Sequence, residues 1–265
     1  EAKEMGGDVL FAPLAGMRSF AQWLATWGHL TFGIDLLGRL GEAAHGHARS
    51  RFTISRGAMM RQLGRIEESI ETLTEAISSL HGLRTRFSRS RRLDLCGAYI
   101  NRGNAQREIG ELTLGLRDYD NALGWLPRAT AGDPVGCMMR ADVLINRGNT
   151  LRDSGRLTEA VADCSQAIAI YRELSEKSAP GSFGCALAST LLNRANAFAD
   201  ADRFDEAQAD YLAAHALCDE LIQRDQREAL PVRAQLHVMR GATLTDANRA
   251  AEAVLEIEKG ADILK

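Results

Sequence analysis

One arginine recurs at a nearly constant spacing along most of this 265-residue chain. Successive copies are separated by 46, 45, 47 and 46 residues, which leaves little room for coincidence. The five copies are Arg56, Arg102, Arg147, Arg194 and Arg240. A period of this size predicts that one small supersecondary unit is repeated and stacked, because such a unit cannot bury its apolar side alone.

Other positions repeat in register with the arginine. The next residue is always small: Gly57, Gly103, Gly148, Ala195 and Gly241. Residues that tolerate turn geometry follow later in each copy: Gly64, Gly110, Gly155, Asp202 and Asn248. Small residues then recur further on: Ala76, Ala122, Ala167, Ala214 and Gly260. Agreement at this many positions over five copies indicates a solenoid of repeats.

The copy from Leu144 to Ala167 shows what one unit looks like. Leu144, Gly148 and Leu151 fall on one side of a helix, and the Gly155-Arg156 pair interrupts it. Apolar and small residues then continue at helical spacing to Ala167. Two helices joined by so short a turn lie antiparallel, so the unit is a helical hairpin.

A small residue followed by Asn, an apolar residue, a turn Gly and alanines spaced by seven resembles the tetratricopeptide repeat. The resemblance covers roughly residues 48 to 265. The unit is near 46 residues, whereas the usual length is about 34, so it is similar to the long units of kinesin light chains and related adaptors. This implies an all-α, right-handed solenoid of stacked antiparallel helix pairs, with five clear repeats and a degenerate N-terminal hairpin. The extra residues would extend both helices to about 20 residues.

The repeat register divides the chain into a leading segment, 1–47, and an array, 48–265. The array is expected to comprise units at about 48–92, 93–133, 134–179, 180–228 and 229–265. Three periods before the central unit, apolar residues stand at 14, 20, 23, 27 and 30, which predicts a degenerate hairpin or cap. Trp23 and Trp27 could instead contact a partner or the rest of a parent protein. Since the chain opens at Glu1, we expect a fragment of a longer protein.

Composition excludes several functional classes. A formal net charge of -3 argues against a general nucleic-acid or membrane-surface binder. The five cysteines have no metal-ligand spacing, which favours reduced thiols and a cytoplasmic location. The Arg84–Arg92 run, with five arginines in nine residues, could hold an anionic ligand or could be a solvated connection and helix start.

The sequence contains no recognised catalytic motif. There is no phosphate loop, nucleophile elbow or HExxH. His45 and His47 form a lone HxH, and His81, His215 and His237 stand isolated in the sequence. We therefore expect no enzyme activity, no metal and no cofactor.

In the resembled family, the first helices line a concave groove that binds peptides. Recurrent amides and charges occupy that face of the first helices here: Asn101, Asn104, Arg107, Asn146, Asn149, Arg152, Asp153, Asn193, Asn196 and Asp200. An Asn amide offers a donor and an acceptor to the main chain of an extended peptide. The alternative is that these amides bond between neighbouring repeats and that the Arg and Asp side chains pair with each other.

The recurrent arginines have a structural explanation. An acid on the facing helix is available to four of them: Arg102 with Asp118, Arg147 with Asp163, Arg194 with Asp210, and Arg240 with Glu256. Such pairs would set the register of each hairpin through bidentate hydrogen bonds. In the first copy Thr72 replaces the acid, which leaves Arg56 without this partner.

Two hypotheses about function follow. The first is a non-catalytic protein-interaction scaffold that binds a peptide or helix of a partner in the groove. The second is a structural or regulatory domain that packs on a catalytic or sensor domain of its own parent chain, or self-associates. The first predicts dependence on Asn149 and Arg152, and the second on Trp23, Trp27 or the C-terminal face.

Overall fold

The computed structural model describes residues 29–83, 88–126, 133–179, 181–246 and 249–263. Within these ranges it contains eleven α-helices and no strand. The helices are α1 Leu30–Ala43, α2 Gly46–Gln62, α3 Ile66–Gly82, α4 Arg89–Glu108, α5 Leu112–Trp125, α6 Pro134–Asp153, α7 Leu157–Glu176, α8 Gly184–Asp200, α9 Phe204–Gln223, α10 Ala229–Asp246 and α11 Ala250–Ile263. None of the described helices is long and apolar enough to span a bilayer. Trp23, Trp27 and Asn248 lie outside the described residues.

The chain forms two compact units, Glu1–Arg128 and Ala129–Lys265. In the first, α1 packs on α2, and two hairpins follow, α2 with α3 and α4 with α5. In the second, three hairpins stack in order: α6 with α7, α8 with α9, and α10 with α11. The prediction of an all-α fold built from stacked antiparallel helix pairs is confirmed. The helices are 14 to 20 residues long, so several are shorter than the expected 20.

The hairpin turns share one backbone geometry. The described turn residues have positive φ: 79° at Gly64, 83° at Gly110, 74° at Gly155 and 57° at Asp202. The next residue donates its N–H to the carbonyl five residues earlier, as Arg156 does to Leu151 at 2.8 Å. This is the Schellman arrangement that closes the end of a helix. Asp202 adopts the same conformation because Asp and Asn tolerate it better than most residues do.

Close contact between the two helices explains the small residue after each arginine. A Cβ added to Gly103 would lie 2.9 Å from the Tyr119 ring and 3.2 Å from the carbonyl oxygen of Gly115. A Cβ at Gly148 would lie 3.2 Å from Cys164 Sγ. The alanines that recur on the second helices, Ala76, Ala122, Ala167 and Ala214, are all buried. Small residues on both helices therefore allow each hairpin to close.

The arginine-rich run contains a structural residue. Ser88 caps α4 by accepting a hydrogen bond from the N–H of Arg91. The Arg91 side chain is almost fully buried and donates to the carbonyl oxygens of Leu80 and His81 at the end of α3. The expected helix start within this run is confirmed, because α4 begins at Arg89. The expectation of a solvated side chain was wrong for Arg91, whose guanidinium bonds the C-terminal carbonyls of the preceding helix.

Candidate peptide-binding face

First helices of successive hairpins contact one another inside each unit. In the first unit α2 contacts α4, and in the second α6 contacts α8 and α8 contacts α10. We call the candidate polar residues of α6 and α8 the first-helix face. It comprises Asn146, Asn149, Arg152, Asp153, Asn193, Asn196 and Asp200. The equivalent residues of the first unit, Asn101, Asn104 and Arg107, lie on α4, where all three are half-buried.

Two of the candidate asparagines are bonded inside their own hairpins. The Tyr119 hydroxyl donates to Asn104 Oδ1 at 2.7 Å, and the Tyr211 hydroxyl donates to Asn196 Oδ1 at the same distance. Tyr211 also lies 3.1 Å from Thr243 Oγ1 on α10. Because Asn196 is itself buried, its amide supports packing. The internal bonding considered for these amides is thus present, although it joins the two helices of one hairpin rather than neighbouring repeats.

Asn149 is the exception at this position. The residue that corresponds to Tyr119 and Tyr211 in its hairpin is Cys164, which is buried and carries no hydroxyl. Among the described residues, the Asn149 side chain makes no hydrogen bond. The same is true there of three other asparagine side chains, those of Asn146, Asn193 and Asn101. All four are half-buried. Their amides therefore keep free donors and acceptors at a partly exposed surface.

The charged residues of the face pair across neighbouring hairpins. Arg152 Nε on α6 lies 3.4 Å from Asp200 Oδ2 on α8, and its Nη2 lies 3.7 Å from Asp153 Oδ1. In the first unit, Arg61 on α2 bonds Glu108 on α4 in the same way. Asp200 is half-exposed, so its interaction with Arg152 is the weakly held kind found at protein surfaces. A ligand carboxylate would therefore compete for Arg152 with a half-exposed carboxylate that is only weakly bound.

Three of the recurrent arginines make the bidentate pairs expected from the sequence. In each pair the arginine donates to both oxygens of the carboxylate. The two distances are 2.7 and 2.8 Å from Arg102 to Asp118 and from Arg147 to Asp163. Both are 2.7 Å from Arg194 to Asp210. The hydrogen bond to Asp210 raises the pKa of Arg194, although burial opposes it. These carboxylates are buried, so the pairs lie inside the hairpins and not on the candidate face.

Two of these arginines also reach the preceding hairpin. Arg102 Nη1 donates to Thr74 Oγ1 on α3 at 2.9 Å, and Arg194 Nη1 donates to Ser165 Oγ on α7 at 3.0 Å. One guanidinium therefore joins an acid of its own hairpin to a hydroxyl of the neighbour. Each of these arginines therefore holds together the two helices of its own hairpin and also binds that hairpin to the preceding one.

The first and last copies depart from this pattern. Arg240 Nη1 lies 3.4 Å from Glu256 Oε1, and that carboxylate also accepts from His237 Nδ1 at 2.8 Å and Lys259 Nζ at 2.9 Å. In the first copy, the Thr72 hydroxyl lies near Met60 Sδ. The buried Nε of Arg56 makes no hydrogen bond within the described residues.

Sequence reasoning missed two groups of residues. Tyr119 and Tyr211 were not considered as partners of the asparagines, although each stands fifteen residues after the Asn it bonds. His81, His215 and His237 are isolated in the sequence, but the fold gives each of them an aromatic or imidazole neighbour. His81 Nε2 lies 3.1 Å from the Tyr99 hydroxyl, and the rings of His215 and His237 lie 4.3 Å apart between centroids.

One segment of the chain matches a known repeat family. The sequence model described as tetratricopeptide repeat matches residues 140–178, which include α7 and most of α6. No curated protein sequence matches the chain significantly. Among solved structures, BtubC (BKLC) from P. vanneervenii is similar with a TM-score of 0.68 at 17% identity, over 88% of this chain and 90% of that chain.

Two further structures share the fold. A putative kinesin light chain from Podosopora anserina, with nearly identical TPR-like repeats, gives a TM-score of 0.63 at 15% identity, over 83% of this chain and 96% of that one. A Rap protein complexed with competence and sporulation factor gives 0.60 at 14% identity, over 86% and 58%. One repeat of this chain thus matches the tetratricopeptide repeat model, and the described hairpins share the fold of these solved structures.

Proposed function

We propose that the chain is a non-catalytic protein-interaction scaffold that binds a peptide or helix of a partner protein on the first-helix face. The observation that carries this proposal is the hydrogen bonding of Asn149 and the ion pairing of Arg152. Within the described part of the chain, the Asn149 amide makes no hydrogen bond, and the ion-pair partners of Arg152 are the partly exposed carboxylates of Asp153 and Asp200. Together they can pair with the main chain of an extended peptide and with one acidic group.

The comparisons support the same class of function. A structurally similar Rap protein was determined in complex with competence and sporulation factor, so this architecture can present a binding surface. The five cysteines are free thiols, which favours a reducing, cytoplasmic setting. The partner is therefore proposed to be a cytoplasmic protein, with no membrane, nucleic acid or cofactor involved.

The test compares two matched double variants. Asn149→Ala/Arg152→Ala removes one amide and one arginine from the first-helix face. Gln166→Ala/Arg172→Ala removes the same two groups from exposed positions of α7 and serves as the control. Peptides are selected on the unmodified chain from a displayed random library, and their affinities are then measured for all three proteins at equal helicity.

We expect the selected peptides to lose at least about tenfold in affinity for the face variant, since charge-assisted hydrogen bonds are each worth about 1.5–3 kcal/mol. Affinity for the control should be unchanged. Equal binding by both variants, or failure to enrich any peptide, would overturn the proposal. Capture from source-cell lysate with the same two variants then identifies the natural partner.

A second candidate function rests on a different surface. The last helix, α11, exposes three large apolar side chains, Val254, Leu255 and Ile257, each about half accessible. Exposed apolar groups of this size favour contact with another protein surface. They support the alternative that the repeats pack on another domain of the parent chain or self-associate. In that case substitution of Val254 and Leu255 by Lys would abolish this domain contact or self-association, and the Asn149 variant would not.

A further inference from the structure

Three side chains meet in the second unit at the junction of its last two hairpins. His215 lies on α9, His237 on α10 and Glu256 on α11. One ligand atom of each lies within 4.8 Å of the others. His237 and Glu256 are buried, with exposed fractions of 8% and 6%, and His215 is half-buried. Three potential metal ligands therefore converge in a largely dry location.

The preceding repeat shows what this position requires of the fold. His215 corresponds to Ile168, 47 residues earlier, and His237 corresponds to Leu191, 46 residues earlier. Both of those residues are buried in the apolar core between α7 and α8. An aliphatic pair is thus sufficient for two hairpins to pack at this position. Packing alone does not account for two imidazoles at the equivalent junction.

One of the two imidazoles, that of His215, is incompletely bonded in this core. His237 Nδ1 lies 2.8 Å from Glu256 Oε2, but the buried Nε2 of His215 makes no hydrogen bond within the described residues. A buried polar atom without a partner is costly and needs a reason.

We propose that His215, His237 and Glu256 bind a divalent transition-metal ion, with Zn²⁺ as the preferred occupant. Two imidazole nitrogens and one carboxylate oxygen form a common zinc donor set, in which a water completes the tetrahedron. Imidazole ligands favour Zn²⁺ and its first-row neighbours over Mg²⁺ and Ca²⁺. The ion would join α9 to the α10–α11 hairpin and so lock the last repeat onto the one before it.

Coordination requires a small rearrangement. Ligand atoms about 2.0 Å from a tetrahedral ion lie roughly 3.3 Å from each other, so the 2.8 Å contact between His237 and Glu256 widens as the ion enters. The imidazole proton moves from Nδ1 to Nε2 of His237, which frees the Nδ1 lone pair without a change in net charge. The other oxygen of Glu256 stays bonded to Lys259 and near Arg240, and these groups orient the carboxylate.

The two cations also limit affinity, because they compete with the ion for the negative charge of Glu256. We therefore expect binding that is specific but readily reversed by strong chelators. The proposal does not depend on peptide binding by the first-helix face, so each can fail without the other.

The test is a metal titration of the chelator-treated chain. Competition with a chromophoric chelator should show one equivalent of bound Zn²⁺, and melting temperature should rise when Zn²⁺ is added. Co²⁺ should give visible d–d absorption without a thiolate charge-transfer band, since none of the three ligands is a cysteine. That spectrum separates this site from binding by the five free cysteines.

His215→Ile and His237→Leu restore the aliphatic residues of the preceding repeat and should fold. Each is expected to weaken Zn²⁺ binding by at least about 100-fold and to remove the thermal shift. His45→Leu, which changes an exposed histidine of the first unit, is the control and should bind like the unmodified chain. Absence of stoichiometric binding, a cobalt–thiolate band, or full binding by His215→Ile would each overturn the proposal.

Discussion

Arg194 donates two hydrogen bonds to the carboxylate of Asp210, each 2.7 Å long, and places a third on Ser165 of the preceding hairpin. Asp210 is buried, so loss of the arginine would leave its negative charge without a partner. We expect Arg194→Ala to reduce the free energy of unfolding by about 3 kcal/mol, measured by urea denaturation.

The control for this prediction is Arg203→Ala. Arg203 pairs with Glu206 at a nearly half-exposed site and lies over the Phe198 ring, 4.5 Å from its centroid, so its loss should cost about 0.5–1 kcal/mol. Replacement of both members of the buried pair, as Arg194→Met/Asp210→Leu, should cost less than Arg194→Ala alone. A cost for Arg194→Ala no larger than that for Arg203→Ala would contradict the structural role of the pair.

Two asparagines at equivalent positions should respond differently to substitution. Asn196→Ala removes the acceptor of the buried Tyr211 hydroxyl, so we expect a loss of about 1–3 kcal/mol in unfolding free energy. Asn149→Ala removes no internal bond and should change stability by less than about 0.5 kcal/mol. Thermal unfolding of the two variants compares them directly, and equal destabilisation would show that Asn149 also supports the fold.

Two glycines of α4 offer an even closer comparison. A Cβ at Gly103 would lie 2.9 Å from Tyr119, whereas a Cβ at Gly97 would have nothing within 4 Å. Gly103→Ala should therefore destabilise the chain by about 1–3 kcal/mol, because the hairpin must open to admit the methyl group. Gly97→Ala should stabilise it by about 0.5–1 kcal/mol through helix propensity. Unfolding in urea distinguishes the two signs, and stabilisation by both would refute the close-contact explanation.

Burial predicts which cysteines react. Burial raises the pKa of Cys164 to about 12 and that of Cys218 to about 11, and Cys96 is also buried. At pH 8 the thiolate fraction of Cys164 should then be roughly a thousandth of that of an ordinary cysteine. Alkylation with iodoacetamide, followed by mass spectrometry, should modify Cys137 and Cys185 first. All five should react alike in denaturant, and rapid native labelling of Cys164 would contradict its placement in the core.

The repeat register let the sequence predict the hairpins, the turns and the arginine–acid pairing, because these depend on contacts at short and fixed separations. Arg147 and Asp163, for example, are sixteen residues apart across a single turn, so their helices bring them together in any hairpin of this kind.

The remaining features depend on departures from the repeat. Asn149 and Asn196 occupy equivalent positions in the repeat, so the repeat pattern predicts the same contacts for both. In the structure Asn196 bonds a tyrosine, whereas the equivalent residue in the hairpin of Asn149 is Cys164. His215, His237 and Glu256 come from three helices in two repeats, and each alone resembles a surface or core substitution. The role of Arg91 depends on carbonyls left free at the end of α3, which no side-chain pattern reveals.

The double attachment of Arg194, to Asp210 in its own hairpin and to Ser165 in the one before, also constrains how such a chain can change length in evolution. Duplication or loss of a complete helix pair brings an equivalent arginine beside an equivalent acid, so no charge is left buried alone. A deletion that removed only one helix would separate Arg194 from Asp210 and leave a carboxylate stranded in the interior. Gain or loss of whole hairpins is therefore the change of length that leaves no carboxylate buried without a partner, and it also preserves the nearly constant spacing of the arginines.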